Sequence, residues 1–208
     1  MRKHRLCLCG LLLLAVSLSL SPPALAHHGH GTRTFTLVSG NAAAPGRDPF
    51  TKFSVDQGAT WEQAFVVPKC GAPGPWDFAS CASWANPIAG TEWISVSADK
   101  SGPATSLYKR WFKLPRKCKC RAASLVVDVH ADNDVTISLN GVVFGAQPPG
   151  DLFENFQDPP EQFSTTGPFR RWKNVLEFSV RDYGNPTGLD YSATVTCKRK
   201  HHHGGWGH

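Results

Sequence analysis

The chain has 208 residues, with 22 Lys and Arg against 16 Asp and Glu, so its formal net charge is +6. That length admits one domain with a proper core, together with tails. Three of the basic residues, Arg2, Lys3 and Arg5, fall in an N-terminal leader, leaving 19 basic residues against 16 acidic ones, a balance too mild to argue for nucleic acid as a partner.

Arg2, Lys3 and Arg5 form a basic n-region, Leu6 to Leu20 an apolar h-region, and Ala24-Leu25-Ala26 an A-x-A cleavage site, so residues 1–26 read as a signal peptide cut after Ala26. The apolar run is short for a membrane span, and Pro22-Pro23 breaks it. No second apolar run of spanning length follows. The expectation is a secreted protein without a transmembrane segment. Residues 27–31 form a His-rich mature N-terminus, 32–197 the folded domain, and 198–208 a basic, His-rich, disordered tail.

Within the domain, Thr32 to Val38 alternates and predicts a first strand. Asn41 to Pro49 reads as loop. Phe53 to Val55 and Trp61 to Val67 read as short strands around the turn Asp56-Gln57-Gly58. Lys69 to Gly90 is an insertion-like loop holding Trp76 and Trp84. Thr91 to Ala98 alternates again, and Leu107 to Leu114 is a strand ended by Pro115.

The most informative stretch runs from Ala122 to Gly145. Leu125, Val127 and Val129 share one face of a strand, and Val135, Ile137 and Leu139 share one face of the next. Period-two patterning of this kind marks half-buried strands. Asn140-Gly141 tolerates the positive φ angles of a tight hairpin, so Val142 to Phe144 should double back. Gln147 to Pro160 is a long connection; Asn174 to Val180 and Leu189 to Cys197 complete the domain. Nothing has helical periodicity over a dozen residues. Short strands with Gly and Pro punctuation predict an all-β antiparallel jelly-roll β-sandwich.

Cys7 and Cys9 lie in the leader, leaving Cys70, Cys81, Cys118, Cys120 and Cys197. Export makes disulfides the natural reading. Cys70 and Cys81 should staple a Gly/Pro loop, and Cys197 should reach either Cys118 or Cys120. Lys109, Arg110, Lys113, Arg116, Lys117, Lys119 and Arg121 form a basic run, read as a solvated edge strand and its loop in preference to a polyanion-binding patch.

With the strands placed, an ordered series stands out: Trp93-Ile94; Tyr108, Phe112, Leu114 and Pro115; Ala131-Asp132-Asn133; Leu139-Asn140-Gly141; Asn174, Leu176 and Val180; Gly184 and Thr187-Gly188-Leu189. The second half thereby resembles the galactose-binding-like jelly-roll domains of secreted proteins and carbohydrate-binding modules. These are turns and core positions, so the resemblance implies a scaffold and no ligand-binding residue.

Three chemistries compete for the site. A saccharide site pairs an aromatic platform with hydrogen-bonding side chains; Trp76 and Trp84, with Asp77 and Asn86 close by, are the candidates. For Trp61, Trp93 and Trp111, within strands, core packing is expected. Histidine-rich termini form the second: His27, His28, His30, His201, His202, His203 and His208 offer imidazoles to Cu, Ni or Zn. If His27 is the mature first residue, a copper-dependent oxidative enzyme is a remote variant of that reading, with His130 as the only histidine inside the domain. Calcium is the third, since Asp128, Asp132, Asn133 and Asp134 cluster hard oxygens, though the same residues are ordinary turn formers. No G-x-S-x-G elbow, phosphate loop or dinucleotide fingerprint is present. The expectation is a secreted, non-catalytic binding module for carbohydrate or another extracellular polymer, needing no cofactor, with an extracellular metal-binding protein as the alternative.

Overall fold

The computed structural model describes residues 31–69, 84–149, 153–184 and 186–199. Among them eleven strands carry the fold: β1 Thr32–Val38, β2 Gly46–Ser54, β3 Glu62–Val66, β4 Ile94–Ser95, β5 Thr105–Phe112, β6 Cys118–Asp132, β7 Asp134–Leu139, β8 Val142–Ala146, β9 Glu161–Thr165, β10 Asn174–Arg181 and β11 Gly188–Arg199. The only helical piece among the described residues is a 3-10 turn at Phe153–Phe156. No described helix is long and apolar enough to cross a membrane.

Every pairing is antiparallel, and the hydrogen-bonded order is β8-β7-β10-β5-β2-β3-β4-β11-β6-β9, with β1 on β11. The path folds over on itself. Phe178 of β10 lies 4.5 Å from Tyr191 of β11, and Phe35 of β1 lies 6.2 Å from Phe112 of β5, although neither pair of strands shares hydrogen bonds. These contacts run between two facing layers, β8-β7-β10-β5-β2-β3 and β4/β1-β11-β6-β9. The outer ends also approach one another: a Cβ placed on Gly145 of β8 would meet the Phe163 ring of β9 at 2.6 Å. The result is an all-β, nearly closed sandwich of jelly-roll character.

The core is the alternation made solid. Leu125, Val127 and Val129 of β6, Val135, Ile137 and Leu139 of β7, and Leu176, Phe178 and Val180 of β10 are all fully buried. Each such side chain contributes roughly 1.5–3 kcal/mol of burial free energy. The hairpin turn at Asn140-Gly141 takes φ of 54° and 85°, as its sequence predicts. A second, smaller core of Val67, Trp84, Trp93 and Phe156 forms against the end of β6, where Trp93 stacks on His130 at 5.9 Å.

Several boundaries differ from expectation. The segment from Gly46 to Pro49 belongs to β2, because the β2/β3 register shifts between Arg47 and Lys52 and the proline falls in that irregularity. Thr91 to Ala98 yields only the two-residue β4. Its neighbouring backbone groups bond outside a ladder, Glu92 N to Ser39 O and Val67 N to Trp93 O. Strand β9, missed by the pattern because EQFST carries one apolar residue, pairs with β6 at an edge. Cys197 joins Cys118, whose side chain is buried, and Cys120 stays a free, half-buried thiol. Cys70 and Cys81 lie outside the described residues.

Candidate functional site

The most chemically distinctive surface is the outer face of β5. Along this strand Tyr108, Arg110 and Phe112 turn inward, so Lys109 and Trp111 turn outward. Strand β5 is not an edge strand, contrary to the solvated-edge reading of the basic run: β2 and β10 flank it. Nor is the run uniform, since Arg110 is buried beside Asp48 at 4.0 Å. Register then builds a cross-strand row on the outer face, Gln63-Lys52-Lys109-Glu177-Ser138.

Two indoles flank that row. Trp111, expected in the core, is 38% exposed. Trp61, also expected in the core, is half-buried at the entry to β3, where its Nε1 donates to Gly58 O at 2.8 Å. The turn holding it is stiffened by Asp56, whose carboxylate accepts from Ser54 Oγ, Thr60 Oγ1 and Thr60 N. Those bonds, the Ser54 hydroxyl first, hold the Asp56 pKa down at about 2. The Lys109 ammonium sits 3.2 Å from the Trp61 ring centroid and 4.6 Å from that of Trp111, while Lys52 and Lys173 stand 5.7 and 5.5 Å from Trp111. Burial against the rings lowers the Lys109 pKa, Lys52 and Lys173 push it the same way, and Glu177 opposes.

The same strand leads into an open recess of about 670 Å³ between β1 and the end of β5, lined by Arg33, Phe35, Lys113, Pro115, Arg116 and Trp172 among others. Trp172 is 60% exposed, and Arg171 lies 4.8 Å from its ring. Lys113 follows Trp111 by two residues, so face and recess adjoin. A sequence signal for this surface existed: Lys109, Trp111 and Lys113 share parity opposite Tyr108, Phe112 and Leu114.

The expected site residues fare differently. Trp84 is 2% exposed, stacked 4.1 Å from Trp93, with its Nε1 donating to Asp132 Oδ2 at 2.7 Å. It is a core residue, not a platform. Asn86 is exposed and accepts from Lys69 Nζ at 3.0 Å. Trp76 and Asp77 lie outside the described residues, as do His27, His28, His30, His201, His202, His203 and His208.

The side chains of the acidic turn bond within the fold. Asp132 takes the Trp84 indole, Asn133 Oδ1 accepts from Tyr183 N, Asp134 pairs with Arg181 at 3.0 Å, and Asp128, on β6, accepts from Gln162. These oxygens serve four separate bonds. Among the described residues no group of three or more His, Cys, Asp or Glu is placed to hold a metal ion. His130 is buried, its Nδ1 3.5 Å from Asp190 Oδ2 and its Nε2 3.7 Å from Asp158 Oδ1. Ser39 Oγ donates to Asp190 Oδ1 at 2.9 Å, so this serine is bonded to the carboxylate and not to the imidazole.

No protein-family model matches the chain, and no curated relative does either. Among solved structures, an FMN-binding beta-glucuronidase from Facaelibacterium prausnitzii L2-6 is similar over 79% of this chain at 16% identity, with a TM-score of 0.42. A beta-glucuronidase of an uncultured Clostridium sp. is similar over 81% at 11% identity, with a TM-score of 0.40. This chain spans only 22% and 29% of those two proteins. A CBM4 structure is similar over 51% of this chain and 70% of its own length, at 18% identity and a TM-score of 0.31.

Proposed function

We propose that the chain is a secreted, non-catalytic binding module for carbohydrate, built on a galactose-binding-like jelly roll. One observation carries the reading: Trp111 stands 38% exposed on the outer sheet face beside a cross-strand row of hydrogen-bonding side chains. A flat indole buries the apolar C–H face of a sugar, while Lys52, Glu177 and Gln63 supply donors and acceptors for hydroxyls. With Trp84 buried, the platform proposed is Trp111 on the sheet. Secretion is part of the proposal; the leader at residues 1–26 and the Cys118–Cys197 disulfide suit an oxidising compartment.

The test is affinity electrophoresis of the mature protein through gels containing a panel of neutral and acidic polysaccharides. At least one polymer should retard the protein, and Trp111→Ala should weaken that retention tenfold or more with an unchanged melting temperature, because the ring lies on the surface. Migration unaffected by every polymer, or a Trp111→Ala protein retained like the parent, would remove the proposal.

A further inference from the structure

The geometry points to a polysaccharide carrying carboxylates on its sugar rings, a uronate polymer, as the ligand of the β5 face and the adjoining recess; this rests on the binding-module reading and gives its substrate class. Three features select it. Lys52, Lys109 and Lys173 surround Trp111 within 5.7 Å of its ring centroid, and Lys109 also caps Trp61. The recess next to them brings Arg33, Lys113 and Arg116 around Trp172 and Phe35, with no carboxylate among its lining residues. None of those three cations takes part in an ion pair among the described residues.

Like charges held together cost free energy, and three ammonium groups share the neighbourhood of the Trp111 ring. An anion laid along the stripe relieves it. The stripe follows β5 from Lys109 to Lys113, about 14 Å at strand rise, which is a polymer's length and not a single ion's. Interleaved aromatics require that the polymer also present flat apolar faces. Glu177, opposite Lys109 in the row, is an acceptor for sugar hydroxyls, and the anion it would repel is directed away from it, toward Lys113 and the recess. Carboxylates suit the spacing because they hang directly from ring carbons, bringing the anion within a few ångströms of a ring stacked on Trp111. The planar forks of Arg33 and Arg116 match the two oxygens of a carboxylate.

The experiment measures binding of the mature protein to polygalacturonate, to its methyl ester, to dextran bearing one sulfate per sugar, and to single-stranded DNA. Polygalacturonate should bind at least tenfold tighter than the methyl ester and than either other polyanion, and binding should weaken at least tenfold between 50 and 500 mM salt, as exchange of counterions for fixed charges requires. The triple variant Arg33→Gln/Lys113→Gln/Arg116→Gln should lose tenfold or more toward polygalacturonate. Lys113→Glu alone should do the same, which guards against a misfolded triple variant, and both should melt like the parent. Equal binding of polygalacturonate and its methyl ester, with Trp111→Ala still defective, overturns the uronate assignment and leaves the carbohydrate module standing. Sulfated dextran or DNA binding as tightly as polygalacturonate overturns it in favour of a general polyanion surface. Retention by no polysaccharide at all removes both proposals together.

Discussion

Asp132 shows how one carboxylate couples the core to pH. It is buried at the end of β6 and takes the Trp84 indole N–H at 2.7 Å. Burial pushes its pKa up to about 7, and the nearby charge of Asp182 adds to the rise, while the Trp84 bond opposes it. In the unfolded chain the group ionises near the ordinary value of 3.8. The native state therefore holds a proton that the unfolded state has released between those limits. Stability from this group is complete below pH 4 and drains away as pH rises through about 7, a change on the order of 4 kcal/mol. Asp132→Asn keeps an acceptor for Trp84 and removes the titration. The variant's melting temperature, relative to the parent, should therefore climb as pH is raised from 4 to 7.5. A difference that stays flat across that window would show that Asp132 ionises normally in the fold.

At the scale of elements, the strands were largely readable because their faces differ so sharply. Thr32 to Val38 became β1 with the same ends, and Leu125, Val127 and Val129 all turned inward as their spacing required. The pattern failed where tertiary contacts replaced alternation. Both Trp93 and Ile94 are fully buried, since Trp93 faces the small second core and Ile94 the main one. No period could announce that. The β5 face went unread: Trp111 was expected in the core although its parity with Lys109 and Lys113 pointed outward, and which strands would flank it depended on pairing across more than fifty residues of chain, as in Lys52 with Lys109. The buried fate of Trp84 has its own signature in β11. A Cβ on Gly188 would fall 2.3 Å from the Trp84 ring. Gly188→Ala should force the ring out of its stack on Trp93, lower stability by about 1–3 kcal/mol, and change the near-UV signal of the paired indoles. Unaltered stability and spectrum would mean that the ring has room to give way.

For the whole molecule, the decisive link is the one that ties the two longest strands. Cys118 opens β6 and Cys197 lies near the end of β11, 79 residues apart, with Cα atoms 5.6 Å from one another. Their strands make the longest ladder in the fold, from Gly188↔Asp132 to Arg199↔Cys118, and the register slips between Cys197 and Arg199. A ladder of that length holds itself together once formed. The bridge acts chiefly on the unfolded chain, by closing a large loop before any β pairing exists; in the chain-entropy account a loop of this size contributes about 4.5 kcal/mol. Cys118→Ser/Cys197→Ser should therefore fold to the same sandwich at low temperature while unfolding at markedly lower denaturant. The face proposed to bind sugar belongs to the other layer, on β2, β5 and β10. Polysaccharide affinity measured well below the variant's melting point should accordingly match the parent's. A variant that loses affinity while still folded would mean that the bridge shapes the β5 face across the core, and that the two layers are coupled more tightly than their separate ladders require.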